Sequence, residues 1–213
     1  MGLCSGDSVN YSCYVKLAGS ERSLIIKARE SGMPEEKTWE SFFNPAIILQ
    51  KMELKGDCLE VVDIGCGYGT FSIAAAQITE GIIHSIDIDE GFIAACKHKV
   101  IEAGLNNVIC KQRDFILNGV DLPDNSVDYA MVFNILHAED PGSILREAYR
   151  VLSPLGKVGV IHWNYDPTTP RGPSISIRPR PEQCQEWIRL AGFKLVKPLI
   201  DLPPYHYGIV GQK

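Results

Sequence analysis

The stretch Val61-Val62-Asp63-Ile64-Gly65-Cys66-Gly67-Tyr68-Gly69-Thr70 leaves this chain few options. A short apolar run ends in three glycines at alternating positions, and an alanine-rich segment at 71–77 follows. Strand, tight turn and helix in that order open a βαβ unit. The glycines allow a sharp turn and a close backbone approach to a ligand. The start of the next helix offers unpaired N–H groups and a partial positive charge, so an anion is stabilised there. The spacing is G-x-G-x-G, not the G-x-G-x-x-G of dinucleotide binders. Asp63, two residues before the first glycine, would repel a nearby phosphate. It could accept hydrogen bonds from loop N–H groups or from an ammonium. A ligand carrying both an amino group and a carboxylate satisfies both halves of the motif.

The rest of the chain repeats the alternation. Apolar runs at 59–64, 82–86, 108–111, 127–133, 157–163, 193–199 and 206–211 read as strands. Segments 71–77, 91–103, 143–152 and 181–190 read as helices, with Gly104 and Gly192 as stops. Such alternation implies crossovers and a mostly parallel sheet. The last two strands are joined by Asp201-Leu202-Pro203-Pro204-Tyr205, a rigid turn without a helix, so that pair is expected to be antiparallel. Upstream, Ser31 and Pro34 with Glu35 and Glu36 resemble a helix start, and Trp39, Phe42 and Phe43 share one helical face. Asn44-Pro45 breaks that helix and starts another, with Ile47, Ile48 and Met52 facing inward. The segment from about 31 to 55 is either a core-packing helical pair or a lid over a ligand. Residues 1–30 read as a mobile arm, and 31–213 as one domain.

Composition excludes several classes. The net charge is −5, and no basic stripe offers a grip on nucleic acid. The seven cysteines are odd in number with no C-x-x-C, which suits free thiols in a reducing cytosol and neither a disulfide framework nor a metal site. The first residues lack the apolar core of a signal peptide, and no apolar run approaches membrane-spanning length. A cytoplasmic protein is the expectation.

Two further acids follow the next two strands. Asp87 closes the second, about twenty residues beyond the glycine loop, where a carboxylate accepts hydrogen bonds from ribose hydroxyls. Asp89 is the better helix cap. Asp114 follows the third strand and is either an ordinary loop acid or an acceptor for the exocyclic amine of adenine. The amino and carboxylate ends, ribose and adenine together describe S-adenosylmethionine.

Residues from about 59 to 163 resemble the class I S-adenosylmethionine-dependent methyltransferases, and most closely the small-molecule branch that contains ubiquinone and menaquinone methyltransferases. "VVDIGCGYGT" is similar to the family's first motif and "IHSIDID" to its second. "RDF", "LPDNSVDYAMVFNILHAED" and "ILREAYRVLSPLGKVGVIHW" resemble the segments that follow. The resemblance implies a Rossmann-like, doubly wound α/β fold: a mostly parallel seven-stranded sheet with an antiparallel last strand and helices on both faces. It implies that Asp63, Gly65, Cys66, Gly67, Tyr68 and Gly69 hold the methionine end, and Asp87 with Ile88 the ribose. Arg113, Asp114 and Phe115 would surround the adenine, with Asn134 beyond the fourth strand completing the site. The product would be S-adenosylhomocysteine and the partner a small-molecule acceptor. One departure is Ser153-Pro154-Leu155-Gly156, where many relatives have a second glycine.

Positioning can supply much of the rate of methyl transfer, so a general base is optional. Candidates on the acceptor side are Asn134, His137, Glu139, His162, Trp163 and Tyr165. His137 is the candidate base, or else a structural histidine fixing its loop, and His162 could equally face the core. The loop "NYDPTTPRGPSISIRPRP" is too long for a simple connector. Its Arg171, Arg178 and Arg180 either hold an acidic substrate or lie solvated. Methylation of RNA or protein, and a binding module without chemistry, are the competing readings.

Overall fold

The computed structural model describes residues 34–213. The expected arm at 1–30 and the helix-start residue Ser31 lie outside the described residues. Two short helices come first, α1 (Glu36–Glu40) and α2 (Pro45–Lys51). The alternation follows: β1 (Glu60–Ile64), α3 (Thr70–Ile78), β2 (Ile82–Asp87), α4 (Glu90–Glu102), β3 (Val108–Gln112), α5 (Phe115–Asn118), β4 (Val127–Phe133), α6 (Pro141–Val151), β5 (Leu152–Trp163), α7 (Pro181–Leu190), β6 (Lys194–Leu202) and β7 (His206–Gln212).

The seven strands form one sheet in the order β3-β2-β1-β4-β5-β7-β6. The pairs β1–β2, β1–β4, β2–β3 and β4–β5 are parallel, and β7 lies antiparallel between β5 and β6. Strand alternation sends side chains to two cores. Val62, Ile64, Ala130, Val132, Val158, Val160 and Ile209 meet α6 and α7 through Leu145, Ala148, Cys184 and Ile188. Val61, Met131, Phe133, Ile161 and Val210 meet α2 and α3 through Leu49, Met52, Phe71 and Ala75 on the other face. The doubly wound architecture read from the sequence is therefore the observed one.

Local chemistry sets the helix starts. Asp89 Oδ1 accepts from the N–H groups of Gly91 and Phe92, and Asp140 Oδ1 from that of Ser143, with Pro141 at the first helical position. Asn44 Oδ1 accepts from Ile47 N, and Pro45 opens α2. Three differences from the sequence reading have physical reasons. Ile47, expected to face inward, is exposed, because Ile48, Leu49 and Met52 take the buried side of α2. The four-residue α5 is too short to show a period, and the Asp114 cap nucleates it. β5 begins at Leu152, because Leu152 pairs with Val127 before an irregularity in the ladder, and Leu155 takes φ +68° within it. Among the described residues, no helix is long and apolar enough to cross a membrane.

Candidate functional site

The glycine loop hangs from the end of β2. Gly65 N and Cys66 N both donate to Ile86 O, at 2.8 and 3.0 Å. Gly67 N donates to Asp87 Oδ2 at 2.8 Å, and Gly69 N to Cys66 O at 2.9 Å. Gly65 and Gly69 take φ of +78° and +77°, where a side chain is strained. A Cβ on Gly65 would stand 2.8 Å from Ile135 Cγ2, and one on Gly69 2.5 Å from Cys96 Sγ. Gly69 also opens α3 without a side-chain cap, so the first-turn N–H groups face the loop unclaimed by one. The buried Thr70 Oγ1 has no hydrogen-bond partner among the described residues. That helix end suits a ligand carboxylate.

Two buried acids lie under the same loop. Asp63 is 2 % exposed and accepts a 2.6 Å hydrogen bond from Ser72 Oγ. Burial pushes its carboxyl up to about 7, Ser72 opposes the rise, and the nearby Asp87 adds to it. Asp87 is also raised by burial, against the N–H groups of Asp89 and Gly67 that it holds. Two crowded carboxyls in a dry place favour a cation beside them. The residues therefore fit an amino acid end at this turn: carboxylate toward α3, ammonium toward Asp63.

The segment after β3 is also built, with some side chains engaged elsewhere. Arg113 N donates to Asp87 O at 2.8 Å, which holds the segment beside the second acid. Its guanidinium turns away, donating to Gly119 O and Asn118 O at 2.6 Å each. Asp114 Oδ1 caps α5 through Ile116 N and Leu117 N. Phe115 packs against the α6–α7 core, and Ile88 is exposed. Asn134 sits beyond β4 at φ +58°, anchored by Asn134 N to Ile161 O at 2.7 Å. Both of its side-chain amide atoms are buried without a partner among the described residues.

On the acceptor side the candidates separate across β5. His137 and His162 meet ring to ring at 5.6 Å on the α6–α7 face, where Tyr207 lies as well. His162 is fully buried, and its Nδ1 accepts from Trp163 N at 2.9 Å. Burial, then the nearby His137, holds its pKa well below the usual histidine range, so the ring is neutral and core-facing. Trp163 points to the opposite face, into a cluster with Trp39 and Phe42 that Phe43, Tyr68 and Tyr205 border. Tyr68 OH donates to Pro34 O at 3.3 Å, and Lys99 on α4 pairs with both Glu36 and Glu40. These contacts draw α1 over the glycine loop. Glu139 is exposed.

Arg178 corrects an expectation. Its guanidinium donates to Asn164 O, Asp166 O, Thr169 Oγ1, Arg171 O and Pro173 O, at 2.6 to 3.2 Å. Every N–H is spent on the loop between β5 and α7, so none remains for an acidic substrate. Arg180 lies over the Tyr165 ring at 3.7 Å. Sequence reasoning also missed His206, at the start of β7. Alternation in "HYGIVG" could have placed it on the Trp163 face, but a lone histidine in an apolar strand carries no other signal.

Comparison with known proteins gives the same direction. Residues 61–156 match a methyltransferase domain family. The chain is 36% identical over 106 residues to a demethylmenaquinone methyltransferase of Listeria monocytogenes, covering 47% of this chain and 43% of that one. It is 32% identical over 115 residues to a sterol 24-C-methyltransferase of Neurospora crassa, covering 51% and 30%. The chain thus spans less than half the length of these curated relatives. Among solved structures, an S-adenosylmethionine-dependent methyltransferase from Aquifex aeolicus superposes with a TM-score of 0.74, at 24% identity over 84% of this chain and 93% of that one.

Proposed function

We propose that this chain, whose residues 61–156 match a methyltransferase domain family, is a class I methyltransferase that transfers a methyl group from S-adenosylmethionine to a small-molecule acceptor. The observation that carries the reading is the pair of buried acids beneath a left-handed glycine loop, with Asp63 raised to about 7 beside Asp87. A cationic amino acid end relieves that crowding, and a pyrophosphate would worsen it. The bound cofactor supplies an electrophilic methyl on a sulfonium. Asp63 and the α3 N-terminus fix its amino acid end, Asp87 and the segment at 113–115 its nucleoside. Asn134 lines the space between cofactor and acceptor. The relatives named for menaquinone and sterol methylation support a small, largely apolar acceptor.

The protein's own work is binding, orientation and exclusion of water. Within the segment read as helical pair or lid, α2 packs into the core, and the stretch from Pro34 through α1 acts as the lid, tied over the loop by Tyr68 and Lys99. Where the acceptor must lose a proton, the base to test is His137, in the loop after β4 with its ring against the neutral His162. Radiolabelled methyl transfer to a panel of phenols, quinols and sterols tests the reading, with calorimetry of S-adenosylmethionine and NAD alongside. Tight NAD binding without S-adenosylmethionine binding sinks it. His137→Gln is expected to lower turnover about 10²-fold or more with unchanged cofactor affinity. Unchanged turnover removes the base assignment and leaves the cofactor assignment standing.

A further inference from the structure

Resting on the methyltransferase reading, we propose that His206 recognises the acceptor, by hydrogen-bonding a hydroxyl carried on a flat conjugated ring held against Trp163. His206 is 1 % exposed, yet neither Nδ1 nor Nε2 has a hydrogen-bond partner among the described residues. Buried polar groups are ordinarily paired, so an imidazole with two idle nitrogens calls for an explanation. Its place supplies one. β7 runs antiparallel to β5 and opposes His206 to Trp163, so His206 opens its strand at the edge where β5 ends. In open α/β sheets that edge is where ligands bind.

The surroundings define the ligand. The imidazole lies between Phe43 at 4.5 Å and Trp163 at 4.3 Å, ring centre to ring centre. Phe42 and Tyr205 close the same box, with Tyr205 stacked on Trp163 at 6.3 Å. Tyr68 of the glycine loop borders this cluster, which connects the box to the cofactor side. Such walls select a flat π-system. Phe43 follows α1 in the turn before α2, so it can withdraw to admit a ring without breaking any strand pairing.

The polar group to be recognised follows from the imidazole's state. Burial, helped by the Arg178 charge, drives the His206 pKa down to about 3, so the ring is neutral, with one donor and one acceptor. A carboxylate or phosphate would demand a cation, and the Arg178 N–H groups are all committed to loop oxygens. A hydroxyl matches, because it both donates and accepts.

The test uses 2-naphthol and naphthalene as probes, titrated calorimetrically into the S-adenosylhomocysteine-saturated protein. The native chain is expected to bind 2-naphthol about tenfold or more tightly than naphthalene, since a site built for a hydroxyl penalises its absence. His206→Phe keeps the ring stack and should abolish the preference while naphthalene affinity is retained. His206→Gln, which keeps a donor and an acceptor, should restore most of it. Equal binding of the two probes by the native chain, or a preference that survives in His206→Phe, overturns the proposal. Failure of S-adenosylhomocysteine to bind at all instead strikes the methyltransferase reading beneath it. Should His206→Phe not fold, His206→Leu, which likewise lacks donor and acceptor, takes its place: loss of the hydroxyl preference is expected, and its survival overturns the proposal.

Discussion

Asp63, the acid proposed to hold the cofactor's ammonium, is buried at the expense of stability. It lies in the apolar interior with one hydroxyl, that of Ser72, to solvate it. Its folded pKa of about 7 stands above the ordinary value of 3.8. Between roughly pH 4 and pH 7 the folded protein therefore keeps a proton that the unfolded chain has released. Stability is fully supported below that window and falls as pH rises through it, and Asp87, raised by burial too, acts in the same sense. Asp63→Asn retains an acceptor for Ser72 and cannot ionise. At pH 8, without ligand, this variant is expected to melt about 3 °C or more above the native chain and to show a flatter Tm profile from pH 4 to 7. The same variant should lose about tenfold or more in S-adenosylhomocysteine affinity by calorimetry. A lower Tm at pH 8 would contradict the assignment of a burial cost to this group. The sequence made Asp63 visible as a carboxylate before a glycine turn. Its partner Ser72 was invisible, because the bond depends on how α3 packs over β1.

At the scale of elements, the loop between β5 and α7 owes its shape to one side chain. Arg178 gathers four carbonyls and a hydroxyl and lies 5.8 Å from the Trp163 ring centre, while Gly172, at φ +106°, leaves no room for a Cβ beside either. Arg178→Ala strands those oxygens and is expected to cost about 2–3 kcal/mol, seen as a lower urea midpoint. Faster amide exchange confined mainly to residues 164–173 should accompany it. Arg178→Lys should recover less than half, because an ammonium cannot reproduce the planar fork. An unchanged midpoint in the alanine variant would show that water replaces the guanidinium freely. Elements with strong punctuation were legible beforehand: Asp89 before α4, Pro181 at the start of α7, Asn44-Pro45 between α1 and α2. Arg178 read as a possible substrate ligand because charge and position say nothing about which way a guanidinium turns. α5 escaped for want of length.

For the molecule as a whole, the carboxyl edge of the sheet collects the residues of the proposed site from segments far apart in sequence. A ligand bound there couples to global unfolding. S-adenosylhomocysteine at a hundredfold excess over its Kd should add about 2.7 kcal/mol and raise Tm by about 5–10 °C, whereas NAD at equal concentration should leave Tm unmoved. Equal shifts from both would deny the site its selectivity. The parallel part of the sheet was readable because each βα step declares itself locally. The proposed acceptor wall was not, since Trp39, Phe42, Trp163 and Tyr205 meet only after the chain has closed. That closure has an order in time. β6 has only β7 for a partner, and β7, the last strand of the chain, lies between β6 and β5. During synthesis the glycine loop and its acids are complete while the outer edge of β5 still waits for its neighbour. On the proposed assignment, a nascent chain carries the residues for its cofactor before it has the surface that would seat an acceptor.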